Sequence, residues 1–546
     1  MSINWSDPVG AGSAVREKPA GAAQGLGVNP NSIHEFTLTS ALDELARSRA
    51  THTAIVCSKA RYDYRTLRQR VIKLANALEA AGVGRGDRVL WLGQNSSRIL
   101  EGLLACARLG AMISPANWRQ SAAEMAFVID DFTPKVVFWQ AIEIGAAVAE
   151  ARGMAQHQTP HWYEADEDEG GLQYEAFLAS GSDVDVDRAI PPETAVLVVY
   201  TAAFFGAPNG AMLSQTAILM QDLSVQQTQG ISSATVFLNS GPMFHVGTLM
   251  LTFATFHAGG TNVFVRRTDP EELCRLIHDN RCTLAFLVGK TCWEMAQINK
   301  ERRYDLTCLR SPSYHPEWDA MVTINPRDFR DTPYGYGQTE VMGIAIWVYY
   351  CDNKGLGAHG RVGPLTQLRI VGPGDEDLAD GEVGEIVLRG PTVMNGYWNR
   401  PELNAQRQRG GWHHTNDLGR READGTLTFI GPKTQMIKSG AENIYPAEVE
   451  GCLKRHPAVA DAAIIGVPDP RFIQSVKAIV QLKPEAAVTA DELVEHCRTL
   501  LASYKKPRFV EFAARLPRTP VGAIDYRALD AAYGGGNYPG GALRGS

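Results

Sequence analysis

The sequence predicts an α/β protein with a large N-terminal part of layered α/β subdomains and a small C-terminal α+β part. Three observations carry this. The chain has 546 residues, 45% of them hydrophobic, whereas single cores stop growing at roughly 250 to 300 residues, so more than one domain is required. Up to Gly396, short β-branched or apolar runs alternate with amphipathic segments, the pattern of parallel α/β layers. After Gly396 the strands become shorter and are interleaved with further helical segments.

In chain order, strands are expected at "TAIVC" from Thr53, "RVLWLG" from Arg88, "KVVFW" from Lys135, "AVLVVY" from Ala195, "TNVFV" from Thr261 and "TLAFLV" from Thr283. Helices are expected over 64–82 ("YRTLRQRVIKLANALEAAG") and 271–280 ("EELCRLIHDN"). The later strands are "GTLTFIG" (425–431), "AAIIGVP" (462–468) and "VKAIVQLKP" (476–484), with helices over 447–456 and 490–504. Regular structure is interrupted at Gly431, Pro432, Lys433 and Thr434, where the Gly-Pro step marks a hinge. The expected organisation is a flexible tail over 1–30, an N-terminal domain over 31–431, a C-terminal lid domain over 432–534 and a second tail over 535–546. Both tails are rich in Gly and Ala and bury too little apolar surface to offset their ordering entropy.

Composition excludes several functions. The formal net charge is -7 and no run of Lys and Arg stands out, so neither nucleic acid nor an anionic membrane is an expected partner. The nine cysteines are scattered without a Cys-x-x-Cys pair, which argues against a disulfide framework or zinc cluster and for free thiols in a reducing compartment. No apolar stretch of about 18 residues occurs, and the opening residues lack a basic segment followed by an apolar run. A cytoplasmic protein without a membrane span is expected.

The stretch "YTAAFFGAPNGAML" (200–213) has the outline of a phosphate loop. It follows the strand "AVLVVY" and precedes the helical pattern "SQTAILMQDL", a context in which backbone N–H groups cradle phosphate. Alone it reads sooner as a tight Gly-Pro turn without a ligand. Downstream stand "GPMFHVGTLM" (241–250), "YGYGQTEVMG" (334–343), "GEVGEIVLRGPTVMNGYWNRPE" (381–402), "GWHHTNDLGRREADGTLTFIGPKTQMIKSGAENIYPAEVE" (411–450) and "ASYKKPRFVEFAARLPRTPVGAIDYRAL" (502–529). In this order and spacing the motifs resemble the ANL superfamily of adenylate-forming enzymes, which comprises acyl-CoA synthetases, peptide-synthetase adenylation domains and luciferases. The resemblance runs from about Phe36 to Leu529.

The resemblance implies a reaction in two halves. A carboxylate attacks the α-phosphate of ATP to give acyl-AMP and pyrophosphate, and then a nucleophile, usually the CoA thiol, displaces AMP. It implies ATP, Mg²⁺ and CoA as cofactors and a small-molecule carboxylic acid as substrate; a homodimer is an open alternative. By the same resemblance Glu340 holds the metal against the phosphates and Thr339 serves the α-phosphate, with Gly337 and Gln338 beside them. Asp417 accepts hydrogen bonds from the ribose hydroxyls. Tyr336 flanks the adenine or is a core tyrosine. His245 gates the acyl pocket or is a packed core histidine. Thr201, Gly206, Asn209 and Gly210 remain to hold the outer phosphates. Lys438, Ser439, Gly440, Ala441 and Glu442 line the CoA channel once the small domain has rotated.

The sequence also departs from the family pattern, in which the loop reads roughly Thr-Ser-Gly-Thr-Thr-Gly-x-Pro-Lys-Gly. Ala202, Ala203, Phe204 and Phe205 stand where the loop has small and hydroxyl residues, and Asn209 stands where it has Lys. "LRSPSYHPEWDAMVTINPRDF" (309–329) replaces a Gly-Gly-Ala segment, Pro432 takes the place of a ribose-contacting Arg, and Ala441 and Ile473 occupy positions that are commonly Gly. Ala523 stands at the position of the catalytic Lys, among neighbours that fit the pattern; an introduced block and a natural loss are both open. The expected function is an AMP-forming acyl-CoA ligase for a hydrophobic or aromatic acid. Alternatives are acyl transfer to an amine or other non-thiol acceptor, and a catalytically silent binding protein.

Overall fold

The structure, a computed structural model, describes residues 32–57, 60–166, 172–201, 208–324, 335–348, 357, 359–433, 436–440, 442–518, 524–536 and 538. The chain separates into a leading unit, Met1–Glu35, with a 3-10 turn at Ser32–His34, and a second unit, Phe36–Ser546, described from here on.

Two sheets sandwich the N-terminal core. In the seven-stranded sheet, Ala195–Thr201, Met112–Pro115, Arg88–Leu92, Val136–Trp139 and His161–Glu164 run parallel. Asn209–Ser214 and Gly396–Tyr397 extend it antiparallel at one edge. The five-stranded sheet orders Leu284–Ala285, Val236–Asn239, Thr261–Phe264, Thr53–Cys57 and Ala60–Asp63, parallel except for the last. Parallel strands need crossover helices, and a helix caught between two sheets must be apolar all round. Ser97–Leu109 is buried at every residue and contacts strands of both sheets; it is mostly apolar, and its few charges are paired. Of its three charged residues, Glu101 is neutralised by Arg70 Nε at 2.5 Å and bonded by the Tyr174 hydroxyl at 2.9 Å, while Arg98 pairs with Glu175 and Arg108 with Asp43 and Asp185. Helix starts follow their caps: Asp63, Ser96 and Ser214 each accept a first-turn N–H. Ser121 and Glu124 form a reciprocal capping box on Ala122–Phe132.

A four-stranded antiparallel sheet follows, ordered Gln367–Val371, Gly384–Arg389, His413–Arg421 and Leu427–Pro432. Its last strand continues one residue past the expected break at Gly431, with Pro432 opposite Asp417; an edge strand tolerates the missing N–H. The C-terminal part has its own sheet, Glu442–Ile444, Ile437–Ser439, Ile473–Leu482 and Val459–Asp469, with Phe509–Phe512 alongside. The helices Pro446–Lys454 and Ala490–Leu500 close a core around Ile437, Val449, Leu453, Ile464 and Val476.

Two local expectations change. The strand expected from Thr283 shrinks to Leu284–Ala285. The phosphate-loop outline is not strand, loop and helix: Ala195–Thr201 and Asn209–Ser214 pair as a hairpin, with Thr201 opposite Asn209, and the helix starts only at Gln215. The strand Asn209–Ser214 is needed as a bridge, because it pairs with Gly396–Tyr397 on its other edge. Any phosphate gripped there lacks the helix N-terminus that the sequence suggested. Among the described residues, no cysteine is disulfide-bonded, no helix is long and apolar enough to cross a membrane, and no His, Cys, Asp and Glu group forms a metal cluster.

Candidate functional site

The nucleotide side combines the strand Gly335–Gln338, the 3-10 turn Thr339–Val341 and the strand His413–Arg421. At Gly337 a Cβ would stand 1.9 Å from the Gly343 carbonyl oxygen, so this hairpin closes only over glycine. The turn leaves Thr339 half-buried and Glu340 buried. Tyr397 donates its hydroxyl to Glu340 Oε1 at 2.7 Å. No other side chain among the described residues bonds the carboxylate; besides Tyr397, only its own backbone N–H bonds it. A hard carboxylate with so few partners fits a magnesium ion.

Asp417 is 9% exposed. The Tyr336 hydroxyl at 2.8 Å and the Gln338 amide nitrogen at 2.6 Å both donate to Oδ2, which fills its two lone pairs and leaves Oδ1 as the open acceptor. His413 Nε2 lies 3.3 Å from Gln338 Oε1. With the amide nitrogen spent on Asp417, that oxygen can only accept, so His413 carries its hydrogen on Nε2. Burial pushes His413 down to about 3, so the ring is neutral. Burial pushes Asp417 up to about 6, against the lowering effect of the Tyr336 and Gln338 hydrogen bonds. Burial likewise raises Glu340. Tyr336 is itself buried, its ring 5.5 Å from that of Phe429; it occupies the core position and steadies Asp417 from there.

At the loop root, Thr201 Oγ1 donates to the Asn209 carbonyl at 3.3 Å, and the Gly210 carbonyl accepts from Trp398 N at 2.7 Å. Gly206, Ala441 and Ala523 lie outside the described residues, as does Thr434.

The acceptor side joins the two parts of the chain. His245 caps the helix Val246–His257 from an extended backbone. The residue is exposed, yet protein around the ring desolvates it and holds its pKa below the usual range. Glu442, Lys438 and Arg119 act on it electrostatically. Arg119 Nη1 lies 2.9 Å from Glu442 Oε1, and its guanidinium sits over the Phe244 ring at 5.7 Å. Lys438 donates to Asn443 Oδ1 at 2.8 Å, and Ser439 pairs with Ile473. Gly440, in the left-handed region at φ 62, donates its N–H to the Phe472 carbonyl at 2.7 Å. The structure therefore brings His245, Lys438, Ser439, Gly440 and Glu442 together. Tyr445, buried next to the loop, is close enough to Asp417 and Glu340 for both to raise its pKa, which links the acceptor side to the nucleotide side.

Ile473 has φ 70, a strained conformation for a β-branched residue. Its side chain is 53% exposed and contributes little packing. Ile473→Gly is expected to stabilise the protein by about 1 kcal/mol: roughly 1–3 kcal/mol of strain relieved, less the roughly 0.5–1 kcal/mol entropy cost of glycine. A rise in the urea midpoint at constant slope checks this, and a fall would show that the position is unstrained.

Sequence reading missed Tyr397, His413, Arg119 and Tyr445. Three of them stand inside quoted motifs, but their partners are set by strand register. Nothing local marks Arg119.

A sequence model described as AMP-binding enzyme matches residues 42–398, and one described as AMP-binding enzyme C-terminal domain matches residues 448–523. The chain belongs to the AMP-binding enzyme family. Among the relatives of this AMP-binding enzyme, an indoleacetate–CoA ligase of Aromatoleum aromaticum is 34% identical over 508 residues, covering 90% of this chain and 98% of the relative. A feruloyl-CoA synthase of Amycolatopsis is 34% identical over 484 residues, covering 88% and 95%. Among solved structures, an amide bond synthetase from Marinactinospora thermotolerans superposes with a TM-score of 0.75 at 25% identity, covering 91% of this chain and 100% of that one. The fold is that of the adenylate-forming enzymes, with a large N-terminal and a smaller C-terminal domain.

Proposed function

We propose that this AMP-binding enzyme joins an aromatic or other hydrophobic carboxylic acid to CoA through an acyl adenylate. One observation supports this most: Asp417 is a buried carboxylate with one oxygen filled by Tyr336 and Gln338 and the other open. A group held at a raised pKa with an acceptor to spare suits the hydroxyls of a ribose. Glu340 would hold the magnesium ion, which supplies charge neutralisation along the phosphates when bound. Tyr397 fixes the Glu340 carboxylate, and His413 fixes the Gln338 amide so that its N–H faces Asp417. The C-terminal domain, residues 432–534, brings the 438–442 segment to His245 for transfer to the thiol. Transfer to an amine is a second reading, favoured by Ile473 and Ala441 standing where glycine is usual and by the fold likeness to an amide bond synthetase.

Asp417→Asn tests the nucleotide site. The Asn oxygen can take the place of Oδ2 beneath Tyr336 and Gln338, while an NH₂ replaces the open acceptor. In a background with Lys at position 523, the KM for ATP in acid-dependent pyrophosphate release is expected to rise about tenfold, the worth of one hydrogen bond to a charged group. In the parent, KM should fall as pH rises through about 6, where Asp417 ionises; in the variant it should be flat. The native pKa of about 6 lies above the unfolded value of 3.8, so burial of this group favours the fold below pH 3.8 and loses that benefit as pH rises through 6. Asp417→Asn should therefore be more stable than the parent at pH 7.5, by roughly 3 kcal/mol at about 1.4 kcal/mol per pKa unit, with the difference shrinking towards pH 4. An unchanged KM together with unchanged stability would remove Asp417 from the site.

A further inference from the structure

We propose that Arg400 is the cation that grips the outer phosphates of ATP in place of the lysine that the phosphate loop lacks; this rests on the ATP-dependent reading above. Residues 200–213 contain neither Lys nor Arg, yet the β- and γ-phosphates carry most of the charge of the nucleotide. The structure places a guanidinium at the vacant position. Arg400 Nε donates to Asn209 Oδ1 at 3.1 Å, and Asn209 is the residue that stands where the family loop carries its lysine.

The fork is held on two further sides. Arg400 Nη1 donates to the Asn399 carbonyl at 3.0 Å and pairs with Asp131 Oδ1 at 2.8 Å. Asp131 is locked by the Tyr200 hydroxyl on Oδ2 at 2.7 Å, and its carbonyl accepts from Trp398 Nε1 at 2.8 Å. Nη2 has no partner among the described residues, and the side chain is 22% exposed. A preoriented guanidinium with one nitrogen uncommitted is suited to a phosphate oxygen. Asp131 offsets part of the charge, so the gain comes from the direction of the Nη2 hydrogens as well as from charge.

The spacing agrees. Glu340 is tied to this segment through Met394 N and the Tyr397 hydroxyl, and Tyr397 stands opposite Ala211 of the hairpin strand. Arg400 bonds Asn209, which lies two residues from Ala211 on that strand, or roughly 7 Å at 3.3 Å per residue. A polyphosphate laid from Glu340 towards the loop runs along that edge.

Equilibrium binding to the full chain decides the matter, with ATP, inorganic pyrophosphate and AMP as probes. For Arg400→Gln, affinity for ATP and pyrophosphate is expected to fall about tenfold or more, the loss of a hydrogen bond between charged partners, while AMP affinity stays constant. Adding Asn209→Lys in that background should restore most of the loss. Arg400→Lys, which keeps a cation beside Asp131, serves if the Gln variant does not fold, and should show a smaller loss confined to the same two ligands. An equal loss for AMP and ATP, or unchanged ATP and pyrophosphate affinity in a folded variant, overturns the assignment. A parent protein that binds neither ATP nor pyrophosphate overturns this assignment and the ligase reading together. A protein that binds both, yet releases no pyrophosphate with any acid once Ala523→Lys is introduced, overturns the ligase reading alone.

Discussion

Ala523→Lys is expected to raise acid-dependent pyrophosphate release on the order of 10²- to 10³-fold, while leaving acyl-CoA formation from supplied acyl-AMP nearly constant. The position falls in "PRTPVGAIDYRAL", where the neighbours fit the adenylate-forming pattern and the lysine alone is missing. A lysine would present a compact cation to the attacking carboxylate and the α-phosphate, where negative charge concentrates in the transition state. Losing one such preorganised donor costs about 2.7 to 4 kcal/mol, and restoring it should return that amount. The flanks bear on which half-reaction responds. Arg518 and Ile524 form a β-bridge with each other, and Arg518 is paired with Asp461, so the segment travels with the C-terminal domain. Lys438 and Glu442 already act electrostatically on His245, as the proposed second half-reaction requires, so a change at 523 should act on the first alone. Pyrophosphate release that stays absent with a broad acid panel would favour a silent binding protein. Release without thioester formation would favour an amine acceptor.

The layered sheets were legible because burial on both faces writes a strand as a continuous apolar run, as in "AVLVVY" and "RVLWLG". The hairpin strand Asn209–Ser214 was not legible. It opens with Asn and Gly, residues that read as turn, and its pairing with Gly396–Tyr397 comes from far along the chain. The motif residues Glu340 and Asp417 could be named from resemblance, yet the manner of their support could not. That Tyr336 and Gln338 share one oxygen of Asp417 follows from the register of Gly335–Gln338 against Gly343–Trp347 and the bulge within it. Ion pairs across the domains leave no sequence signal at all. Lys505 reaches Glu124 and Glu448, 381 and 57 residues away, and each of these residues alone reads as a solvated surface charge.

That triad carries the second large prediction. Lys505 is 3% exposed, with Nζ 2.6 Å from Glu448 Oε1 in the C-terminal part and 2.7 Å from Glu124 Oε1 in the N-terminal part. The two carboxylates raise the lysine pKa against its burial, and burial raises that of Glu448. Replacing both charges of a buried pair is often neutral, but removing one partner leaves the other stranded and costs about 3–5 kcal/mol. Lys505→Met strands two carboxylates, so a loss of that size is expected in urea unfolding at pH 8. Glu448 already has a native pKa above its unfolded value, so its contribution to stability is present at low pH and is lost as pH rises through the native pKa. Without the ammonium that pKa climbs further, and the cost of the variant should accordingly shrink towards pH 5. Glu124→Gln is the gentler probe. Gln still completes the capping box with Ser121, and Lys505 keeps Glu448, so the fold should survive with the buried charge joining the domains gone and only the more exposed Arg119–Glu442 pair left between them. The nearby contacts from Ser121 to the Leu500 carbonyl at 3.0 Å and from Asn117 to the Tyr504 hydroxyl at 3.3 Å are neutral and exchange readily with water. The domain arrangement that places Gly440 and Glu442 beside His245 should therefore lose occupancy in Glu124→Gln. With Lys at position 523, acyl-AMP should accumulate because its transfer to the acceptor slows by several-fold, while pyrophosphate release in the first turnover is unchanged. Equal slowing of both half-reactions would mean that the triad supports the fold without setting the domain arrangement.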